Sequence, residues 1–219
     1  MSEDTTPEKL LTLNAVRQTP LEYTNAKDSV VRVGHGRGFV ARTVHSPIII
    51  TCAHCLPHMP PAIGGIMMTE ERTYPRLVGA LGDEPSIMVE CLFADPVADV
   101  AVLGEPDGDI LWNEAEAYHA FVEDRKGLPL AREQNAAFTG VQQRMGAWLT
   151  LEDRWVHGGL AITARSVLTS ERAKAGMSGS PIILDTVRRT VVGVVSSTEF
   201  HPRLNAALPA WLSRQLVMR

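Results

Sequence analysis

The sequence has few of the features that mark several large classes of protein. It contains three cysteines, and its first residues are acidic and polar, with no basic stretch leading into an apolar one. We therefore expect neither a disulfide-rich fold nor a secretory signal. No run of about eighteen apolar residues is present, so we expect no membrane-spanning helix. The formal net charge of −4 gives no electrostatic reason to expect nucleic acid or an anionic membrane as a partner.

Short apolar runs, many of them rich in valine and isoleucine, are what the chain does have. Hydrophobic residues make up 45% of the 219 residues, enough to bury a sizeable core. Turn signals separate the runs, which predicts an all-β fold with two groups of strands, residues 29–105 and 135–208. Residues 106–134 are interpreted as the crossing between the groups. We expect a short helix in the extension 1–28 and another in the C-terminal segment 209–219.

The stretch Ala-Gly-Met-Ser-Gly-Ser-Pro at residues 175–181 carries a candidate nucleophile. Ser178 lies between glycines just before the apolar residues 182–184, so it can occupy a tight turn with its hydroxyl exposed. The same turn can aim the N–H groups of Gly176 and Ser178 at one point, where they would stabilise an oxyanion. Taken alone, the pattern is equally typical of an ordinary turn, because glycine and serine are common in turns for backbone reasons.

A nucleophilic serine needs a base, and the base needs a carboxylate to orient it. His54 follows residues 47–51, whose pattern is typical of a buried strand, and Asp99 directly precedes a second short apolar run. Asp95 is the alternative carboxylate, but it precedes a proline and is interpreted as a turn residue. The chain thus offers His54, Asp99 and Ser178, in this order, as base, acid and nucleophile.

These three segments resemble the motifs of trypsin-like (chymotrypsin-fold) serine peptidases. Thr-Cys-Ala-His-Cys at residues 51–55 is similar to the family's Thr-Ala-Ala-His-Cys, and Asp-Val-Ala-Val-Leu at 99–103 to its Asp-hydrophobic-Ala-hydrophobic-Leu. Gly-Met-Ser-Gly-Ser-Pro at 176–181 is similar to its Gly-x-Ser-Gly-Gly-Pro. The order of histidine, aspartate and serine is also the chymotrypsin order. The resemblance implies two six-stranded antiparallel Greek-key barrels with the active site between them, in the style of bacterial stand-alone peptidase domains.

The resemblance also implies an activity and a role for each residue. A serine endopeptidase of this family hydrolyses peptide bonds in proteins through an acyl-enzyme on Ser178. His54 is then the general base and acid, Asp99 orients His54, and the N–H groups of Gly176 and Ser178 form the oxyanion hole. Activatable members carry an aspartate immediately before the nucleophile, where this chain has Met177, so we expect no zymogen switch of that kind. We expect instead regulation, or activation by a partner protein.

The substrate-binding residues are less clearly marked than the catalytic ones. By resemblance, the primary specificity pocket is lined by Arg172 and by the strand that contains Ser196, Ser197 and Thr198. An extended substrate would pair with the edge of that strand. Arg172 at the pocket would favour an acidic substrate side chain, and the alternative is a solvated arginine in a charged loop.

The three cysteines, Cys52, Cys55 and Cys91, are an odd set, and we expect all three to be reduced. In secreted relatives, the cysteine after the histidine pairs with a partner that this chain lacks. A zinc cluster of Cys52, His54, Cys55 and His58 is an alternative, but a structural zinc site usually draws on two clusters that are separate in sequence, and the chain has no second one. We therefore expect no metal and no cofactor.

The remaining expectations concern partners, location and rival functions. We expect a protein or peptide substrate and an activating protein partner, but no nucleic acid and no membrane, in the cytoplasm of a bacterium. The main alternative is a latent or inactive domain of the same fold that binds peptides or proteins. A cysteine nucleophile is disfavoured because residue 178 is serine, and an α/β-hydrolase because its nucleophile precedes its acid and its histidine in sequence.

Overall fold

The strands of the protein form a closed barrel and a second sheet. The structure, a computed structural model, describes residues 25–61, 69–131, 143–151, 153–163, 166–185, 189–198 and 200–216. None of the helices in these ranges has both the length and the hydropathy that crossing a membrane requires. The helix predicted in the extension 1–28 lies outside the described residues.

The first barrel is built from six antiparallel strands and closes on itself. Its strands are β1 (Val30–Val33), β2 (Gly36–Arg42), β3 (Pro47–Thr51), β4 (Thr73–Ala80), β5 (Ile87–Asp95) and β6 (Val100–Gly104). They neighbour one another in the order β1-β2-β3-β6-β5-β4, and β4 completes the barrel by pairing with β1. This order places β3 beside β6, with Thr51 opposite Ala101. The residues that follow β3 and those that precede β6 therefore meet at one end of the barrel.

Two helices accompany the first barrel, and one of them packs into its core. They are α1 (Thr69–Arg72), which precedes β4, and α2 (Trp112–Glu123), which lies in the crossing segment. Tyr118 and Val122 of α2 are buried in the core of the barrel, and the Tyr118 hydroxyl donates to the carbonyl of Pro47 (2.8 Å). Burying one such aliphatic or aromatic side chain contributes about 1.5–3 kcal/mol, so the helix fixes the start of β3.

The second sheet has five antiparallel strands within the described residues. They are β7 (Gln143–Leu151), β8 (Arg154–Ile162), β9 (Val167–Thr169), β10 (Pro181–Leu184) and β11 (Val191–Val194), in the order β11-β10-β7-β8-β9. The strand that the sequence predicts at residues 135–140, which would add a sixth, lies outside the described residues. Strand β10 begins directly after the turn that contains Ser178, and the residues after β11 run beside that turn.

The C-terminal segment returns to the first barrel. After α3 (Leu204–Ala207), the predicted C-terminal helix is confirmed as α4 (Ala210–Gln215). The helix ends where Leu216 forms a bridge with Thr43, and the N–H of Val44 donates to the carbonyl of Gln215 (2.8 Å). Leu212 and Leu216 belong to the core of the first barrel, so the last described residues complete the packing of the first strands.

Two hydrophobic clusters anchor the turns that carry the candidate site residues. The larger cluster fills the first barrel and includes Ala53 and Cys55, the neighbours of His54. The smaller cluster lies in the second sheet and includes Met177, which precedes Ser178, and Ile182. Each turn is thus held by the core of its own half of the molecule.

Candidate active site

His54 stands in a short turn that its buried neighbours hold in place. The turn is a 3-10 helix, Ala53–Cys55, entered from β3 through Cys52. Ala53 and Cys55 are 2% and 5% exposed, whereas the His54 side chain is 50% exposed. The local pattern of apolar, polar and apolar residues therefore fixes the backbone and leaves the imidazole free to face a substrate.

Asp99 lies in the turn before β6 and makes two contacts with His54. Its Oδ1 accepts a hydrogen bond from the backbone N–H of His54 (3.0 Å), and its Oδ2 is 2.8 Å from His54 Nδ1. A carboxylate can only accept, so Nδ1 carries the proton and Nε2 is the ring nitrogen left with a free lone pair. Asp99 has a φ of +52°, a left-handed conformation that aspartate tolerates better than most residues. Asp95 serves as a turn residue, since its Oδ1 accepts from the N–H of Val97.

The turn around Ser178 depends on two glycines. The N–H of Met177 donates to the carbonyl of Lys174 (3.1 Å), and Gly176, with a φ of +82°, occupies the third position of this turn, where a positive φ requires glycine. Gly179 has a φ of +88°, and a Cβ there would collide with the backbone carbonyl of Arg37. Both glycines are thus required by the backbone path itself.

The first barrel holds the serine turn by a hydrogen bond across the two halves. The backbone N–H of Arg37, in β2, donates to the carbonyl of Ser178 (2.6 Å), while the N–H of Gly179 donates to the carbonyl of Val195 (2.7 Å). Within the described residues, the N–H groups of Gly176 and Ser178 donate to no protein acceptor. They are therefore available to an oxyanion, as an oxyanion hole requires.

Ser196 links Ser178 to Asp99. The Ser178 hydroxyl donates to the carbonyl of Ser196 (3.3 Å), and the Ser196 hydroxyl donates to Oδ2 of Asp99. Among the described residues, the Ser178 hydroxyl makes this bond and none to His54. The structure thus brings His54 and Asp99 into direct contact and connects Ser178 to them through Ser196. The catalytic hydrogen bonds of unliganded enzymes are often long or poorly aligned and tighten only with substrate.

Comparison with known proteins supports the fold. No protein-family model matches the chain, and neither does any curated protein sequence. Among solved structures, Deg5 matches 98% of this chain and 100% of its own length at 16% identity, with a TM-score of 0.50. The chain has a chymotrypsin-like double-barrel fold.

Two viral structures are also similar to this chain, at lower scores. One is a serine protease from a human pathogenic astrovirus, at 14% identity over 81% of this chain and 89% of that one, with a TM-score of 0.47. The other comes from work on the VPg protein of Sesbania mosaic virus, at 15% identity over 80% of this chain and 84% of that one, with a TM-score of 0.48.

In this chymotrypsin-like fold, the segment predicted to bind substrate lies directly after β11. Ser196 is half-buried and turned toward Asp99, while Ser197 and Thr198 are exposed. The N–H of Ser197 donates to the carbonyl of Phe200 (2.9 Å). Arg172 is also exposed. The described geometry gives Ser196 a contact with Asp99 that the sequence did not indicate.

His201 is a site residue that the sequence analysis missed. Its side chain is 2% exposed, its Nδ1 accepts from the N–H of Ser196 (3.3 Å), and its Nε2 is 3.4 Å from the hydroxyl of Thr169. That hydroxyl donates to the carbonyl of Glu171, so it accepts from Nε2, and the imidazole is neutral. Burial lowers the pKa of His201. Nothing in the flanking sequence distinguishes this histidine from an exposed one.

All three cysteines are free and buried, in agreement with the expectation of reduced thiols. Burial, followed by the nearby Asp99, raises the pKa of Cys52, and burial also raises the pKa of Cys55. Burial raises the pKa of Cys91 to about 11. Because only a thiolate is an effective nucleophile, none of these thiols competes with Ser178.

The described residues include one group of side chains that could bind a metal ion. Its members differ from the zinc cluster that the sequence analysis considered as an alternative. Single ligand atoms of Cys52, His54 and Asp99 lie within 4.8 Å of one another. His58 instead packs on Tyr74, with ring centroids 4.9 Å apart. Cys55 directs its thiol at the carbonyl of Ser178 (3.8 Å).

Proposed function

We propose that the protein is a serine endopeptidase that hydrolyses peptide bonds through an acyl-enzyme on Ser178. The single observation that carries the proposal is the double contact of Asp99 with His54, through the backbone N–H and through Nδ1. This contact fixes the tautomer in which Nε2 accepts a proton. The chymotrypsin-like fold and the free N–H groups in the serine turn support the same reaction.

The first half of the reaction follows from the roles of these atoms. A short rotation about the Cα–Cβ bond of Ser178 takes its hydroxyl from the carbonyl of Ser196 to Nε2 of His54. Nε2 removes the hydroxyl proton as Oγ attacks the scissile carbonyl carbon, and the N–H groups of Gly176 and Ser178 donate to the oxyanion, each worth about 3 kcal/mol. His54 then returns the proton to the leaving nitrogen, the C–N bond breaks, and an ester on Ser178 remains.

The second half repeats the same proton transfers with water. Nε2 of His54 takes a proton from a water molecule that attacks the ester, and then returns it to Oγ of Ser178 as the carboxylic acid product leaves. Asp99 stays ionised throughout and stabilises the imidazolium. The Ser196 hydroxyl and the His54 backbone N–H hold the Asp99 carboxylate in place. The carboxylate can therefore fix the orientation of the His54 ring.

Substrate would bind as an extended strand beside the residues after β11. The proposed lining of the primary pocket is Arg172, Ser196, Ser197 and Thr198. An acidic side chain before the scissile bond is the proposed preference, because Arg172 would supply the complementary charge. Cleavage of a peptide library only after small apolar residues would refute the role of Arg172 and leave the endopeptidase proposal intact.

Regulation is part of the proposal because the Ser178 hydroxyl is bonded to Ser196 in the unliganded protein. Binding of substrate or of a partner protein would be needed to turn the hydroxyl from Ser196 to His54. In this proposal, residues 29–105 supply the base and the acid, and residues 135–208 supply the nucleophile.

Labelling with a fluorophosphonate probe tests the function directly. We expect a single adduct on Ser178, read by intact mass and peptide mapping, and none in the Ser178→Ala variant. Ser180→Ala is the matched control, because Ser180 is buried two residues away and should not react. An unlabelled wild-type protein would refute an assembled catalytic site and favour a peptide-binding domain instead.

A further inference from the structure

The Cys52, His54 and Asp99 side chains come from three segments that the barrel brings to one end. Cys52 follows β3, His54 stands in the next turn, and Asp99 precedes β6. One ligand atom from each lies within 4.8 Å of the other two, and His54 Nδ1 is 2.8 Å from Asp99 Oδ2. The group is thus a compact set of one sulfur, one nitrogen and one oxygen donor.

This donor set matches the coordination chemistry of a thiophilic divalent cation. Zinc binds sulfur at about 2.3 Å and imidazole nitrogen or carboxylate oxygen at about 2.0–2.2 Å, so the ligand atoms of a tetrahedral site are roughly 3.5 Å apart. The present atoms need shifts of about 1 Å to reach that spacing. A thiolate favours zinc-like ions over calcium or magnesium, which prefer oxygen ligands.

Two of the three ligands are held rigidly, and the third can move. Cys52 is fully buried, and its thiol donates to the carbonyl of Val195 (3.0 Å). Asp99 is held by the Ser196 hydroxyl and the His54 backbone N–H. The imidazole of His54 is half exposed, so a small rotation of this ring would open the space between Nδ1 and Oδ2 to an ion that enters from solvent.

We propose that Cys52 Sγ, His54 Nδ1 and the Asp99 carboxylate bind one thiophilic divalent cation such as Zn²⁺. The ion replaces the proton of the Cys52 thiol, which is released to solvent, and the imidazole proton moves from Nδ1 to Nε2 by exchange with solvent, without any redox step. A water molecule completes the tetrahedron, because three protein ligands leave one position open.

The bound ion would act as a reversible inhibitor, a consequence that rests on the proposed function. With the ion on Nδ1, the imidazole loses its hydrogen bond to Asp99, and Nε2 carries the ring proton and has no lone pair to accept another. The ion would therefore remove the general base without touching Ser178. The binding site itself does not depend on the protein being a peptidase.

Titration with Co²⁺ tests the site independently of activity. Co²⁺ occupies zinc-type sites and gives a charge-transfer absorption band only when a thiolate is a ligand. We expect a saturable band at one equivalent in the wild-type protein and in the Cys91→Ala variant, and its loss in Cys52→Ala and Cys52→Ser. Cys91→Ala is the matched control because Cys91 is also a free, buried thiol of the same barrel.

Each result of this titration decides the assignment. A band that survives in both Cys52 variants, or one that disappears in Cys55→Ala but not in the Cys52 variants, would overturn it. So would the absence of a band in the wild-type protein. Circular dichroism checks that the metal-free variants are folded. We expect Cys52→Ala to fold, because the family motif Thr-Ala-Ala-His-Cys has alanine at this position.

The inhibitory consequence is read from fluorophosphonate labelling in the presence of Zn²⁺. We expect at least a tenfold slower labelling of the wild-type protein, full recovery with a chelator, and little effect in Cys52→Ala. Equal inhibition of wild type and Cys52→Ala would overturn the proposed inhibition. If Ser178 is unreactive without metal, the endopeptidase proposal fails while the Co²⁺ spectrum still decides the metal site.

Discussion

Replacement of the buried His201 should destabilise the protein and slow the labelling of Ser178 by the fluorophosphonate probe. In His201→Ala, the Ser196 N–H loses its acceptor, and the Thr169 hydroxyl loses the Nε2 donor but keeps its bond to the carbonyl of Glu171. The lost bond to Thr169 contributes about 1 kcal/mol, and the Ser196 N–H left without an acceptor costs about 1–3 kcal/mol. We therefore expect a loss of about 2–4 kcal/mol, before any term for the cavity. Urea denaturation followed by tryptophan fluorescence measures this loss.

The same residue should make stability depend on pH in a defined direction. Burial lowers the pKa of His201 in the folded protein, so between that lowered value and about 6.5, the unfolded chain binds more protons than the folded one. The stabilisation by neutral His201 is thus fully present above pH 6.5 and is lost as the pH falls below it. The slope from this one group is at most about 1.4 kcal/mol per pH unit.

His201→Asn separates titration from hydrogen bonding. The asparagine oxygen can accept from the Ser196 N–H, as Nδ1 does, but the side chain does not titrate. We expect wild type to lose more stability than His201→Asn as the pH falls from 7.5 to 5.5, so that the stability difference between the two is smaller at pH 5.5. His45→Asn is the control, because His45 is exposed and should leave the pH dependence unchanged. Parallel pH curves for wild type and His201→Asn would refute the reasoning.

Two further substitutions test the backbone and the acid of the site. Gly179→Ala should unfold the protein or destabilise it by more than about 3 kcal/mol, because the added Cβ meets the Arg37 carbonyl at a positive φ; near-native stability in urea would contradict the described turn. Asp99→Asn should reduce peptide hydrolysis by about four orders of magnitude while changing the melting temperature little, since asparagine also tolerates the left-handed φ of residue 99. An equal loss of activity in Asp95→Asn would count against assigning the acid to Asp99.

The contact between His54 and Asp99 follows from features that are visible in the sequence, whereas the full course of some strands does not. His54 and Asp99 could be found because each adjoins a short, fully apolar strand, and the β3–β6 pairing brings those strands together. Strand β4 was missed, since Pro75 and the positive φ of Arg76 interrupt its alternation and shift its register against β5. The length of β8 is also hard to recognise in the sequence, because its two adjacent glycines, 158 and 159, are more typical of a turn than of a strand.

The contacts made by Ser196 and His201 could not be predicted for a different reason. Both depend on which side chains meet after the second sheet has formed, and neither residue type carries that information locally. A buried histidine and an exposed one look alike in a polar loop sequence. The metal-ligand group shows the same limit, because the sequence placed Cys52 and His54 with their near neighbours and not with Asp99, which joins them only through strand pairing.

The return of the C-terminal segment to the first barrel bears on how the protein is made. As the chain leaves the ribosome, the strands that carry His54 and Asp99 appear long before Ser178. Their barrel nevertheless lacks Leu212 and Leu216, and the bridge from Leu216 to Thr43, until those residues have been synthesised. Contacts between such distant parts of a chain form slowly. The first barrel is therefore completed only after the turn that contains Ser178 has been synthesised, so the proposed active site is not assembled before that point.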